Sequence, residues 1–375
     1  MNKNKKITII VVVIVAIVLI GYVVLRNQQK NNEINIGVVL PLSGGAASFY
    51  GEYGQRGLML ALEDLNKDFN QKRISVTIED SQDQPKLGIN AVNKLINQGI
   101  HFVIGGQISG VTLAMAPIVE QNKVLLIVPG SASPKVTDAG DYIFRTKVSA
   151  AIEAKKVSDF IVNELSIRKV AFLYQNSDYG VGVFNVLKAE MEKGGVIMTN
   201  DEHFEIGSVD MRTQLTKIKS SDAELVLLAG YPKDIGQILR QASELKLDKK
   251  FFAHSGSIGP DVVKVGGTGA ENLLFLYEIS VNKEDQKTKS FFDRYEQKYS
   301  DSPELFSMIA YDTTVLLGEK IRECKEDVEC VKNALYNTVN YPGITGLINF
   351  DNKGDIIRDL FTLFTIKEGK FVITE

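Results

Sequence analysis

Residues 34–69 read INIGVVLPLSGGAASFYGEYGQRGLMLALEDLNKDF and contain the unit from which most of the fold can be built. The apolar run INIGVVL predicts a buried β-strand, and the glycine-rich PLSGG after it predicts a turn. Beyond the turn, apolar side chains recur every three or four positions, at Leu58, Leu62, Leu65 and Phe69. This is the spacing of one face of an α-helix. The stretch therefore predicts a strand, a loop and a helix in succession.

The same succession recurs along the chain. Further apolar runs of strand length lie at 74–79, 102–104 and 124–128 in the first half, and at 169–174, 225–229, 250–253 and 273–277 in the second half. Helical patterns lie between them. Continuous apolar strands that alternate with helices are typical of parallel sheets covered on both faces. We therefore predict an α/β fold with two doubly wound parallel-sheet lobes.

The loops that follow these strands share one composition. They are rich in Gly, Ser and Tyr and nearly free of charged residues, at 41–45, 105–110, 129–134, 230–232 and 254–257. In open parallel sheets, ligands bind beyond the carboxyl ends of the strands. Glycine lets the backbone approach a ligand, and serine offers a hydroxyl beside free N–H groups at a helix start. The loops predict a binding site for a small polar or anionic molecule.

Signs of catalysis are weak. The sequence has no G-x-S-x-G elbow, no P-loop and no H-E-x-x-H motif. Asp80 and Asp83 follow a strand, and we interpret Asp83 or a neighbour as the cap of a helix that begins near Pro85. His254 lies in a strand-end loop, where it is either structural or in contact with the ligand. We expect a binding protein rather than an enzyme, with no cofactor and no metal.

Composition excludes other classes. The chain has 375 residues, enough for about two domains with separate cores. Two Cys and three His exclude a multi-cysteine zinc site or a dense disulfide scaffold. Residues 1–30 carry five basic and no acidic side chains, which leaves 38 basic against 46 acidic in the remainder. Such an acidic body is a poor ligand for polyanions, and we expect no nucleic-acid partner.

The amino-terminal segment predicts a membrane anchor. Residues 7–25 (ITIIVVVIVAIVLIGYVVL) are uncharged and would span roughly 28 Å as a helix, close to the ~30 Å hydrocarbon core. Lys3, Lys5 and Lys6 precede them, which predicts a cytoplasmic amino terminus at 1–6 and an extracytoplasmic body. A cleavable signal peptide is the alternative, although its apolar region is usually shorter. Residues 26–33 then form a polar tether. Either way, the body lies outside the cytoplasm, on a single-pass anchor at the cell membrane in the favoured interpretation.

The two cysteines are close in sequence. Cys324 and Cys330 flank a charged stretch, RECKEDVEC. Outside the cytoplasm the favoured interpretation is a local disulfide, and two unpaired thiols are the alternative.

The order of these segments resembles a known family. The similarity runs through 36–66 and 78–134, then YIFRT (142–146), VAFLYQNSDYGVG (170–182), LLAGYPKDIGQILRQASEL (227–245), IAYDTTVLL (309–317) and GLINFDNKGD (346–355). Together they are similar to the leucine/isoleucine/valine-binding protein family, the extracytoplasmic solute-binding proteins of branched-chain amino-acid-type ABC importers. The resemblance covers nearly all of 34–375.

The resemblance implies a type I periplasmic binding protein with three crossovers between its lobes. By position, the crossovers fall near 146–149, 278–281 and 348–351. Lobe 1 is then 34–147 with 281–348, and lobe 2 is 148–280 with 349–375. Hinge closure of such lobes around a ligand is a known form of domain motion.

The resemblance also implies a binding site. Ser109 matches the serine that binds the ligand carboxylate, and Gly130 and Ala132 match positions that offer backbone N–H groups to it. Relatives often carry a hydroxyl residue at the position of Ala132, and Ser131 or Ser133 could replace that donor. The remaining matches are pocket-wall positions: Tyr50 and Phe306 in lobe 1, and Tyr179 and Tyr231 in lobe 2.

One departure from the family concerns the ligand's nitrogen. Amino-acid binders of this family place an acidic residue after the strand at 250–253, whereas this chain has His254-Ser255-Gly256-Ser257, and Ser255 joins the predicted site. An unpaired buried ammonium is costly. Three alternatives follow. Either Asp261 reaches into the site and pairs with the ammonium, or tyrosine hydroxyls and carbonyls suffice to bind it, or the ligand is another small carboxylate or amide.

The function implied is capture of a small ligand, with amino acids as the leading class, for an ABC transporter permease. The alternative is a ligand-sensing receptor module that acts through a partner chain.

Overall fold

The computed structural model describes residues 33–45, 47–68, 70–282 and 284–374. The predicted cytoplasmic residues and anchor, and nearly all of the tether, lie outside these ranges, as does Phe69. None of the helices within the described ranges is long and apolar enough to cross a membrane.

Within the described residues, the first sheet has five parallel strands in the order β2-β1-β3-β4-β5. They are β1 (Glu33–Leu40), β2 (Arg73–Asp80), β3 (Phe102–Gly105), β4 (Leu125–Val128) and β5 (Ile143–Arg145). The helices between them are α1 (Ser48–Leu65), α2 (Pro85–Asn97) and α3 (Ser109–Gln121).

Both faces of the first sheet are covered, as continuous apolar strands require. Ile36 and Val38 of β1 belong to one buried cluster, whereas Val39 belongs to another that includes residues of α2 and α3. On the first face, α1 packs against the later helix α10 (Leu305–Glu323). A Cβ at Gly57 would lie 1.9 Å from the carbonyl oxygen of Ser307, so this close approach requires glycine.

The second sheet has seven strands among the described residues, in the order β14-β13-β10-β9-β8-β6-β7. Its parallel strands are β6 (Lys169–Gln175), β7 (Ile197–Phe204), β8 (Leu225–Ala229), β9 (Lys250–Ala253) and β10 (Leu274–Tyr277). The hairpin β13 (Thr362–Lys367) and β14 (Lys370–Ile373) joins antiparallel to β10. The helices are α4 (Ala150–Asp159), α5 (Asp178–Lys193), α6 (Arg212–Lys219), α7 (Pro232–Glu244) and α8 (Pro260–Gly266).

After β10 the chain returns to the first sheet. It forms α9 (Gln286–Tyr299), α10, α11 (Val328–Tyr336) and the hairpin of β11 (Tyr341–Gly343) and β12 (Gly346–Ile348). We call the first sheet with its helices the first lobe and the second sheet with its helices the second lobe. Two lobes of parallel α/β structure confirm the predicted fold class for the described residues.

The chain crosses between the lobes after β5, after β10 and before β13. The first crossing lies between β5 and α4, and the second lies between β10 and α9. The third lies later than the expected 348–351, because Asp355 still pairs with Arg145 of β5 and the Ile356 N–H donates to the Arg145 carbonyl. The chain joins the second sheet only at Thr362.

The cysteines lie at the helix pair α10 and α11. Cys324 follows α10, Cys330 lies in α11, and their Cα atoms are 5.6 Å apart. This separation suits a disulfide.

Candidate ligand-binding site

A small cavity lies between the lobes, beyond the carboxyl ends of their strands. The described residues that line it are Tyr50, Gln107, Ile108, Ser109, Gly130, Tyr179, Tyr231, Gly256 and Phe306. A wider groove on the outside of the first lobe, between α1, α9 and α10, is open to solvent and lies away from the strand ends. We therefore take the cavity between the lobes as the candidate site.

Six of the eight predicted site residues line this cavity: Tyr50, Ser109, Gly130, Tyr179, Tyr231 and Phe306. Ala132 and Ser255 are not among the lining residues. Ala132 is buried, and its carbonyl accepts the N–H of Ala150 at the start of α4. The Ser255 side chain is turned towards Glu153. Contact with a ligand remains a prediction for all eight.

Ser109 presents a hydroxyl hydrogen that no residue within the described ranges accepts. It is the first residue of α3, where the N-cap is Ile108, so Ser109 is not the helix cap. Its Oγ accepts the hydroxyl of Ser131 at 3.0 Å and the backbone N–H of Ser133 at 3.3 Å. A serine hydroxyl has two acceptor sites and one hydrogen. With both acceptor sites filled, the hydrogen is left to donate to a ligand.

The loop behind Ser109 is fixed by a buried arginine. Arg145 donates to the carbonyl of Ser133 at 2.7 Å and makes a two-pronged ion pair with Asp355, at 2.8 and 2.6 Å. Such a bidentate pair defines direction as well as distance. Ser131 and Ser133 therefore act on Ser109, and neither lines the cavity itself.

Two tyrosine hydroxyls donate across the cleft in opposite directions. Tyr50 of the first lobe donates to the carbonyl of Gly256 in the second at 2.8 Å. Tyr231 of the second lobe donates to Asp83 Oδ2 in the first at 2.9 Å. Their rings meet edge to face, 5.6 Å apart. The lobes are thus closed on each other.

Asp83 itself is not the cap of α2, whose N-cap is its neighbour Gln84, within the prediction of Asp83 or a neighbour. The helix α2 begins at Pro85 with Gln84 as its N-cap, and no side chain caps it. Asp83 instead reaches Tyr231, and its burial raises the pKa of the carboxyl to about 6, against the lowering effect of the Tyr231 hydroxyl. Asp80 holds the loop after β1, accepting N–H groups from Leu42 and Ser43. An aspartate in a turn just before a helix fits the sequence pattern of a helix cap. The sequence does not show that the partner of Asp83 is Tyr231 in the other lobe.

His254 lies behind Tyr179 and does not line the cavity. The Tyr179 hydroxyl is 2.9 Å from His254 Nδ1 and 2.9 Å from Ser257 Oγ. Nδ1 also accepts the N–H of Gly256 at 3.0 Å, so it carries no proton and the ring is neutral with its proton on Nε2. Burial lowers the pKa of His254 accordingly. Its Nε2 lies 3.2 Å from Glu153 Oε2.

A group of buried charges lies at the hinge. Lys147, in the first crossing, forms an ion pair with Glu278 at the second crossing. The Lys147 side chain is fully buried, and the Glu278 side chain is 2% exposed. The Lys147 ammonium also donates to Ser255 Oγ at 2.9 Å and lies 3.8 Å from Glu153 Oε2. Ser255 in turn donates its N–H and hydroxyl to Glu153, at 2.8 and 2.6 Å. We call Lys147, Glu153, Ser255 and Glu278 the hinge cluster.

The hinge cluster explains why Ser255 is absent from the cavity wall. Its hydroxyl is held between Lys147 and Glu153, and both acids near it already face the protein's own ammonium. Asp261, the other acid considered from the sequence, lies in the first turn of α8 and does not line the cavity. Among the nine lining residues, none has a charged side chain.

Sequence reasoning missed three lining residues. Ile108 and Gln107 precede Ser109 in the loop after β3, and Gly256 lies in the loop after β9. The loops themselves were predicted as binding loops. Which of their residues face the cavity depends on how each loop turns.

Two parallel-sheet lobes, three crossings and an interlobe cavity define a hinged ligand-binding protein, and comparison with known proteins gives its family. A family model described as "Periplasmic binding protein" matches residues 33–370, and the chain belongs to this family. The leucine-, isoleucine-, valine-, threonine- and alanine-binding protein of Pseudomonas aeruginosa is 29% identical over 336 residues, which cover 88% of this chain and 89% of that protein.

Solved structures agree. A leucine-binding protein of Thermotoga maritima is 25% identical, with a TM-score of 0.84 over 91% of this chain and 98% of that one. The branched-chain amino-acid transporter substrate-binding protein of Streptococcus pneumoniae, solved with isoleucine, is 27% identical, with a TM-score of 0.83 over 91% and 100%. This chain is therefore a solute-binding protein of the periplasmic binding protein family, and the relatives that it resembles are binding proteins of ABC transporters, not enzymes.

Proposed function

We propose that this protein captures a small α-amino acid between its two lobes and delivers it to the permease of an ABC importer. The observation that carries the proposal is the Ser109 hydroxyl, whose hydrogen is left free beside Gly130 at the start of α3. A helix start with free N–H groups and a directed hydroxyl favours a carboxylate. Ile108 and Phe306 add apolar walls for a hydrophobic side chain.

Closure is coupled to binding because the cavity draws residues from both lobes. Ser109, Gly130 and Phe306 come from the first lobe, and Tyr179 and Tyr231 from the second. A ligand that touches both lobes binds the closed form more tightly, and it shifts the population only by that difference in affinity. The cross-cleft hydrogen bonds of the two tyrosines help to define the closed form that a permease would recognise.

We further propose that residues 7–25 anchor the protein in the cell membrane, with the lobes outside. A span of 19 uncharged residues preceded by three lysines supports this. The anchor would keep the binding lobes concentrated at the permease, as linkage does for any tethered pair. Membrane fractionation checks it: the full chain should stay with the membranes after a high-salt wash, and a chain that lacks residues 1–32 should not.

The ligand class is tested by calorimetry on the purified full chain in mild detergent, with each common amino acid, short amides and aromatic acids. We expect at least one apolar amino acid to bind and to raise the melting temperature. At 100 times its dissociation constant a ligand adds about 2.7 kcal/mol to the free energy of unfolding, which is several degrees. Binding of aromatic acids or amides without any amino acid would refute the proposal.

A further inference from the structure

One polar atom in the cavity wall has no partner. Gln107 is 3% exposed and lines the cavity, and its Oε1 has no hydrogen-bond partner among the residues that the structure describes. Ser133 Oγ and the Tyr277 hydroxyl are also unpaired, but neither residue lines the cavity. A buried polar group without a partner is rare and calls for a specific explanation.

The orientation of the Gln107 carboxamide follows from its neighbours. Its Nε2 donates to the Tyr50 carbonyl at 3.1 Å. A carbonyl only accepts, so rotating the carboxamide by half a turn would bring two acceptors together. Oε1 is therefore the atom left over. A Cβ at Gly130 would lie 2.0 Å from Oε1, and one at Gly54 would lie 2.3 Å from Nε2, so two glycines leave room for the carboxamide.

This acceptor lies beside the predicted carboxylate site. Oε1 packs against Gly130, and Gly130 and Ser109 both line the cavity. An α-amino acid carries its ammonium one carbon away from its carboxylate. The ammonium of such a ligand would therefore supply the hydrogen-bond donor that the unpaired Oε1 lacks.

Three carboxylates near the cleft are already engaged. Asp83 accepts from Tyr231 and does not line the cavity. Glu153 accepts from Ser255 twice, and Glu278 pairs with Lys147. With these three carboxylates engaged, the unpartnered Oε1 of Gln107 is the acceptor that the cavity wall offers.

We propose that Gln107 Oε1 accepts a hydrogen bond from the ligand's α-ammonium and is the residue by which this protein selects a nitrogen beside the carboxylate. The inference rests on the proposed function, since it assumes a carboxylate bound at Ser109. An amide oxygen supplies direction without a full charge. Selection for the ammonium therefore depends on one hydrogen bond that no longer forms when the ligand lacks the nitrogen.

The test compares matched ligands on the full-length protein by calorimetry. Each amino acid that binds is paired with the same acid lacking its amino group, for example leucine with 4-methylpentanoate, and the ratio of the two dissociation constants is measured. Gln107→Met removes the acceptor at similar volume. We expect it to reduce the preference for the amino acid by about tenfold or more, the usual weight of a hydrogen bond to a charged group.

Ser109→Ala is the matched control. Both ligands of a pair carry the carboxylate, so this variant should weaken both and leave their ratio unchanged. If Gln107→Met fails to fold, Gln107→Leu tests the same loss of the acceptor and should reduce the preference in the same direction.

The outcomes separate the two proposals. A ratio that Gln107→Met or Gln107→Leu leaves unchanged, while wild type still binds the amino acid, overturns the role of Gln107 and leaves the proposed function standing. Wild type that binds no amino acid overturns both.

Discussion

Replacing Lys147 with methionine removes the one ammonium of the hinge cluster and should strongly destabilise the closed structure. Lys147 is fully buried and pairs with Glu278, while its ammonium also donates to Ser255. Methionine keeps much of the side-chain volume, so little of the effect comes from a cavity. Removing one partner of a buried ion pair costs about 3–5 kcal/mol, because the other charge stays buried without compensation.

The double variant Lys147→Met with Glu278→Gln isolates the charge from the packing. It removes the uncompensated carboxylate, so we expect it to recover most of the free energy of unfolding that the single variant loses. The single variant's deficit should also shrink towards pH 5. A carboxyl whose folded-state pKa is raised, as burial raises that of Glu153, adds stability that is full below about pH 4 and is lost as the pH rises through the folded pKa.

The assay is urea unfolding of the full chain followed by far-ultraviolet circular dichroism, since the sequence has no tryptophan for fluorescence. A loss below about 1 kcal/mol in Lys147→Met, or a double variant no more stable than the single one, would show that the ion pair does not hold the hinge.

Three further results are expected. Ser109→Ala should weaken binding of a carboxylate ligand by about 1–3 kcal/mol in calorimetry, with unchanged affinity as the contrary result. Asp83→Asn should flatten the fall in melting temperature between pH 4 and pH 7, because the pKa of Asp83 is raised to about 6 and its contribution is lost as the pH rises through that value; an unaltered slope would contradict this. A Cys324→Ala/Cys330→Ala variant should lose about 2 kcal/mol of stability, and wild type should titrate no free thiol when unfolded without reductant, whereas two thiols would refute the disulfide.

The central strands were predictable because they are buried on both faces and therefore apolar throughout. All eight predicted runs contain a strand. The missed strands have other causes. β7 (Ile197–Phe204) is an edge strand with polar, half-exposed residues, and β5 (Ile143–Arg145) has only three residues. β13 joins the second sheet against β10 across 85 residues or more, a pairing that no local pattern contains.

The site was predictable at the level of loops and family positions, and less so at the level of contacts. Ser109 and Tyr231 line the cavity, but the partners of Asp83 and Lys147 come from distant parts of the chain. Burial of a lysine cannot be read from its neighbours in sequence. Gln107 escaped notice because a glutamine in a loop is ordinarily solvated, and only the enclosing glycines show otherwise.

The packing of α1 against α10 constrains how the protein can be made. The helix at Ser48–Leu65 is synthesised early, but its partner Leu305–Glu323 follows some 240 residues later. Until that partner emerges, the nascent first lobe exposes Leu58 and Leu62, which are buried in the finished protein. The parallel strands of the second lobe, by contrast, are contiguous from Lys169 to Tyr277. Vectorial export across a membrane would therefore deliver the five parallel strands of the second lobe before the first lobe can close, and the hairpin of β13 and β14 would complete the second sheet last.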